Sequence, residues 1–259
     1  MTWFEKLFHV QDLLITVLVF VPLERLIPRT PQQKILRRNW MNDFAFLLVN
    51  GWVIGLGMTV ILGSTIFLRE FVIPEPVRLA VAGQAGWLQL IEMTVLADLG
   101  FYVVHRMFHT VPFLWRIHAV HHSIEEMDWL AAARVHPIDQ TLTIGGALVP
   151  CFALGFSPWA IGAYVALYHW HGIFLHSNAQ IDFGRAGWLF SSPNFHHWHH
   201  SQEPEARDKN FAAQLPILDV LFGTAYMPVR GWTPSYGISE PMPQNYVDQM
   251  LHPFRGQSS

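Results

Sequence analysis

From Trp40 to Leu68 the chain is apolar, with charged or amide side chains only at Asn42, Asp43 and Asn50 and softening at Gly51, Gly55 and Gly57. A run of that length reads as a helix that crosses a bilayer. The rest of the sequence agrees. Charged residues are 14% and hydrophobic residues 51% of the chain, against about 25% charged in ordinary soluble domains. Further apolar runs cover Val10 to Ile27, broken at Pro22, and Gly86 to Val104, which carries Glu92 and Asp98. Leu142 to Leu154 and Ser157 to Leu175 are divided by Gly155 and Pro158, the signature of a tight turn between antiparallel helices. The first of that pair is short for a crossing, so a re-entrant hairpin and two full spans both fit. The expected fold is all-α, with about four to five membrane segments and a helical, histidine-rich cap on the cytoplasmic side.

The N-terminus has no cleavable leader pattern and reads as a retained first helix. Arg29, Lys34, Arg37 and Arg38 lie between the first two runs, which assigns that loop to the cytoplasm. Counting crossings from there puts every histidine cluster on the same side. Residues 1–88 are expected to form the N-terminal transmembrane helices, 89–226 the domain that carries the clustered histidines, and 227–259 a loosely ordered cytoplasmic tail rich in Pro, Gly and Gln. The net charge of −3 and pI near 6.6 leave no basic footprint for nucleic acid. The single cysteine, Cys151, excludes a disulfide framework or a cysteine-held metal cluster.

Of the 15 histidines, 13 fall between positions 105 and 200. His105 and His109 are four apart and share a helix face, with Asp98 and Tyr102 on the same stripe. His118, His121 and His122 are spaced i, i+3, i+4, and His196, His199 and His200 repeat that spacing. Imidazole suits iron, zinc, copper or nickel, and this many ligands imply two metals. No Glu-x-x-His or His-Glu-x-x-His occurs, so an all-imidazole site remains. Clustered imidazoles repel when protonated and cost desolvation when neutral, which leaves a purely structural cluster little to recommend it.

At this point the sequence resembles the fatty acid hydroxylase/sterol desaturase superfamily of membrane di-iron enzymes. DLGFYVVHRMFHTVPFLWRIHAVHHS (98–123) looks like its first two histidine boxes, RVHPID (134–139) like the element that follows, HGIFLHSN (171–178) like the membrane-exit box and SPNFHHWHHS (192–201) like the last. DKNFAAQLPILDVLFGT (208–224) resembles the closing segment. The resemblance implies iron ligands at His105, His109, His118, His121, His122, His176, His196, His199 and His200, with His136 and His171 as further candidates. On a straight helix His171 points about 140° away from His176. His169 and His197 match no ligand position. Asp98, Asp208 and Asp219 match recurring acidic positions, and Asp98 is a candidate acceptor for a ligand's free N–H.

The activity so implied is O₂-dependent hydroxylation or desaturation of a lipid C–H bond by two iron ions, such as on a sterol or fatty acyl chain. Ether-lipid cleavage would use the same site. A dizinc hydrolase and a metal carrier are the readings from other classes. The substrate would enter from the bilayer past Trp87, Phe101, Phe108, Trp115, Trp170 and Phe174. No Gly-x-Gly-x-x-Gly or flavin motif is present, so an external donor of cytochrome b5, ferredoxin or reductase type is expected, docking near Arg185, Arg207 or Lys209. The expected setting is a multi-pass protein of the bacterial inner membrane or an equivalent membrane.

Overall fold

The computed structural model of the protein describes residues 10–228 and 231–255. The start of the expected N-terminal transmembrane region (1–9) and residues 229–230 and 256–259 of the tail lie outside them. The described residues are helical, with two isolated bridges, Pro28 to Ala179 and Ser201 to Tyr236, as their only β pairing. The helices are α1 (Val10–Leu26), α2 (Trp40–Val72), α3 (Glu75–Ala82), α4 (Gly86–Thr110), α5 (Pro112–His122), α6 (Pro137–Leu154), α7 (Pro158–His176), α8 (Pro193–His199), α9 (Ile217–Leu221) and α10 (Tyr246–Leu251).

Among the described residues two helices are long and apolar enough to cross a membrane, α2 and α4. The 33 residues of α2 rise about 50 Å, and the 25 of α4 about 37 Å, so each exceeds a hydrocarbon core of about 30 Å. The outer faces of α2 and α4 present Trp52, Leu56, Phe67, Phe71 and Val103 to the surroundings, a composition that favours lipid contact. Gly155, at φ 81°, ends α6 with its N–H on the Cys151 carbonyl, and the Ser157 side chain caps α7 by accepting from the Ala160 N–H. The expected turn is therefore present, and α6 reaches back to Pro137, longer than its apolar run.

The core lies between α2, α4, α6 and α7, around Met58, Met93, Ala97, Leu148, Cys151 and Ile161. Its closest approach is where α4 crosses α6. A Cβ built on Gly100 would sit 2.1 Å from the Gly146 carbonyl oxygen, so only glycine allows this spacing. The crossing fixes α4, with His105 and His109 near its end, against the helix that carries Asp139.

Around this core, α1 is held chiefly at its C-terminal end. The Glu24 carboxylate accepts from the Trp129 and Asn178 backbone N–H groups at 2.7 and 3.1 Å. Arg37, one of the residues used to orient the chain, is buried: it pairs with Asp43 at 2.5 Å and Asp128 at 2.7 Å. Its charge is spent inside the fold, so the orientation argument rests on Arg29, Lys34 and Arg38. The tail is also more ordered than expected. Asn245 caps α10, the Tyr246 hydroxyl donates to Asn50 Oδ1 at 3.1 Å, and its ring meets Phe46 edge-on at 4.9 Å. These anchors fasten residues 245–255 to α2 and α5, which a Pro- and Gln-rich composition conceals.

Candidate metal centre

Pro112 at the first position of α5 and Ser192 capping α8, its hydroxyl accepting from the Phe195 N–H at 3.3 Å, start the two short helices that carry the His-x-x-His-His boxes. With the end of α4 and the end of α7, they bring nine imidazoles into two adjoining groups. One holds His105, His109, His118, His122 and His199; the other holds His121, His176, His196 and His200. In each group the candidate ligand atoms lie within 4.8 Å of one another. Both boxes are split between the groups. The i, i+4 pair His118/His122 serves the first group while His121 serves the second; His196/His200 serve the second while His199 serves the first. The groups meet where the His122 and His200 rings stack at 4.5 Å.

The hydrogen bonds fix which nitrogen of each ring faces inward. Nδ1 donates to a backbone carbonyl at His105 (Phe211, 2.7 Å), His121 (Arg134, 2.9 Å), His176 (Gly172, 2.8 Å) and His199 (Lys209, 2.8 Å). His118 donates to the Asp139 carboxylate at 2.6 Å, and His109 to Asp208 at 3.2 Å. A carbonyl can only accept, so these rings carry the proton on Nδ1 and turn a bare Nε2 lone pair inward. Yet Nε2 atoms face each other at 3.1 Å between His105 and His118, and at 3.3 Å between His121 and His176. Two lone pairs at that distance repel, and no proton is available to bridge them. A cation between them resolves the conflict: nitrogens that each bind one ion at about 2.1 Å lie roughly 3.0–3.4 Å apart. The Nε2 atoms of His109 and His199 are buried without any protein partner. The donor set fits two metal ions of the kind imidazole prefers.

Electrostatics agree. Burial, reinforced by the neighbouring imidazoles, pushes His121, His122, His196, His199 and His200 well below the ordinary histidine range. These rings are neutral at physiological pH, the form that binds metal.

The remaining expected site residues lie outside the two groups. His136 caps α6, with Nδ1 accepting from the Ile138 N–H and Nε2 donating to the Met250 carbonyl. α7 stays helical through His171, which turns away from His176 and donates to the Ser191 carbonyl at 2.9 Å. His197 is fully buried against Trp232 and Tyr236, its pKa pushed down to about 3 mainly by burial. Among the expected carboxylates only Asp208 meets an imidazole of the groups. Asp98 instead accepts the backbone N–H groups of Ala213, Gln214 and Leu215, and Asp219 those of Phe211 and Ala212. They hold the loop whose Lys209 and Phe211 carbonyls orient His199 and His105. Asp139 is the carboxylate that sequence reasoning missed, although it closes the RVHPID element.

A cavity of about 970 Å³ opens from the groups into the helical bundle. His105, His118, His121, His176 and His196 form its histidine end, and Phe101, Leu148, Tyr164 and Tyr168 are among the side chains beyond. Of the aromatic residues expected along a substrate path, Phe101 lines it; Trp170 stacks on Phe20 instead, and Trp87 points outward.

The fatty acid hydroxylase family model matches residues 90–224, more than half of the chain. The chain belongs to the fatty acid hydroxylase family. The match spans α4 through α9 and so contains both histidine groups, with Asp139 and the loop carbonyls behind them. An ornithine lipid hydroxylase of Rhizobium tropici is 27% identical over 97% of this chain and 76% of its own length. The alkylglycerol monooxygenase of Xenopus tropicalis is 29% identical over 56% of this chain, and the human one 30% over 49%. The chain spans 32% and 28% of those two proteins. No solved structure matches the chain significantly. Membership in this hydroxylase family makes the chain an oxidoreductase, and its two apolar helices agree with a membrane setting.

Proposed function

We propose that this protein is a membrane oxygenase that hydroxylates a lipid C–H bond, using two iron ions held by the nine clustered histidines. The observation that carries the reading is the pair of adjoining all-imidazole groups at the head of a largely apolar cavity. Two irons, when bound there, supply O₂ reduction and C–H oxidation, with the overall balance R–H + O₂ + 2 e⁻ + 2 H⁺ → R–OH + H₂O. The chain's own part is to aim each imidazole. Carbonyls and carboxylates behind Nδ1 keep Nε2 unprotonated and fixed in direction, and the largely apolar walls keep water from the reacting carbon.

Electrons come from an external carrier of cytochrome b5, ferredoxin or reductase type. Arg207 and Lys209 flank Asp208, the exposed residue bonded to His109, and would favour an acidic carrier on that side. The histidine end faces the cytoplasm, and α1 and the α6–α7 hairpin accompany α2 and α4 in the membrane. Cleavage of an ether lipid, by hydroxylation of the carbon beside the ether oxygen, is a second reading favoured by the alkylglycerol monooxygenase relatives. A dizinc hydrolase is disfavoured because neither group contains a carboxylate.

The test is metal analysis of the full chain in mild detergent after growth with iron, followed by O₂-dependent oxidation of a lipid panel. Two irons per chain, with both lost in His121→Ala or His199→Ala, are expected. Two zincs unchanged by iron-rich growth would overturn the proposal.

A further inference from the structure

One side chain of the cavity wall has two buried polar atoms and a partner for neither. Gln214 is 4% exposed, and both its Oε1 and its Nε2 lack a partner in the protein. Its backbone is fully engaged: the N–H donates to Asp98 at 3.1 Å and the carbonyl accepts from the Ser191 N–H at 3.0 Å. The residue is therefore pinned where it lines the cavity, with its carboxamide unspent. His171, also on the cavity wall, is tied to the same Ser191 through that residue's carbonyl. Its Nε2 donates there, which leaves Nδ1 as an acceptor. Ser191 itself is fully buried with an unpartnered hydroxyl. The largely apolar cavity thus has a polar corner here, while elsewhere on its wall Asp12 Oδ2 and the Tyr164 hydroxyl are also unpartnered.

The corner lies near the histidine groups. Gln214 follows Phe211, whose carbonyl orients His105, by three residues, a reach of about 10 Å at most. No Lys or Arg lines the cavity among the described residues; of its two aspartates, Asp139 is committed to His118 and Asp12 belongs to α1. The corner offers donors and acceptors but no cation to meet a carboxylate or phosphate.

We propose that Gln214, with His171, forms a subsite that binds a neutral hydrogen-bonding group of the lipid, an ether or hydroxyl oxygen or an amide. The carbon presented to the metals then lies within a few bonds of that group and not in the middle of the chain. This rests on the reading of the cavity as a lipid site. Gln214 here is a specificity residue and makes no side-chain hydrogen bond to the clustered histidines.

The test uses the metal-free full chain in detergent, so that it does not depend on iron or turnover. The probes are 1-O-hexadecylglycerol, hexadecanamide, palmitate and hexadecane, with binding read as the rise in unfolding temperature across a titration. The parent should bind 1-O-hexadecylglycerol or hexadecanamide about tenfold more tightly than hexadecane or palmitate; whichever is tighter separates the ether-alcohol from the amide source. Gln214→Leu and the volume-matched Gln214→Met should lose that preference, while unfolding without lipid at the parent's temperature or above, because an unpartnered buried amide has been removed. Variants that keep the preference, or a parent that binds palmitate or hexadecane as tightly, would overturn the proposal. So would a lower unfolding temperature in both lipid-free variants, since the carboxamide would then be structural. Two irons and lipid oxidation with an unchanged Gln214→Leu preference would sink this inference alone; bound lipid without iron would sink only the proposed reaction.

Discussion

Asp139→Asn isolates the contribution of a single acceptor. In the parent the carboxylate takes the His118 Nδ1 proton at 2.6 Å, with side chains 2% and 4% exposed. Charge-assisted bonds of this kind are about twice as strong as neutral ones, and water cannot replace one at so buried a position. An asparagine that accepts through Oδ1 keeps the tautomer but loses the charge. One that donates through Nδ2 forces the ring proton onto Nε2, which then blocks the lone pair that faces His105 and His122 at 3.1 Å. Loss of such an outer partner typically costs 10–100-fold in metal affinity, or about 1.4–2.7 kcal/mol. Chelator competition on the purified chain, read by elemental analysis, should show this loss for the metal of the five-histidine group, with the other metal retained longer. Asp98→Asn is the control. Asp98 holds only backbone N–H groups, so its loss should lower the unfolding temperature more than the metal affinity. Equal affinities for Asp139→Asn and the parent would refute the assignment of Asp139 as the residue that sets the His118 tautomer.

His136→Ala and His171→Ala should each retain the full metal content by elemental analysis, since neither ring reaches a group; a lost metal would place that residue among the ligands. Gly100→Ala should destabilise the fold by about 1–3 kcal/mol in a denaturant titration, because its methyl meets the Gly146 carbonyl. Gly63→Ala, with nothing within 4 Å, should be neutral or slightly stabilising. For the metal-free chain, stability should fall as pH drops below about 6.5. The buried rings of His121, His122, His196, His199 and His200 resist protonation while the unfolded chain accepts protons, so each contributes a loss of up to about 1.4 kcal/mol per pH unit. A flat thermal-unfolding profile from pH 7 to 5.5 would contradict this.

The histidine boxes were legible because a helix translates sequence spacing directly into a shared face. The same geometry turns His171 away from His176, and α7 runs unbroken between them. The partition of each box between two groups was not legible, since it depends on how α5 and α8 approach each other. The same limit affected the acidic residues: Asp98 shares a stripe with His105, but the closing loop's N–H groups reach its carboxylate first. Asp139 had no such cue, because its partner lies 21 positions earlier on another helix. The long apolar spans stand out from composition alone, whereas the order in the tail rests on single contacts such as Tyr246 to Asn50.

The splitting of each box between the two groups has a consequence for how such a site can change. A small tilt or rotation of α5 or α8 displaces ligands in both pockets together, so neither helix can be adjusted for the benefit of one metal. The groups able to act on one pocket at a time are those behind the rings: Asp139, Asp208 and the Phe211 and Lys209 carbonyls for the first pocket, the Arg134 and Gly172 carbonyls for the second. Divergence between relatives would then be written in the two carboxylates and in the backbone paths that set the carbonyls, while the histidines stay in place.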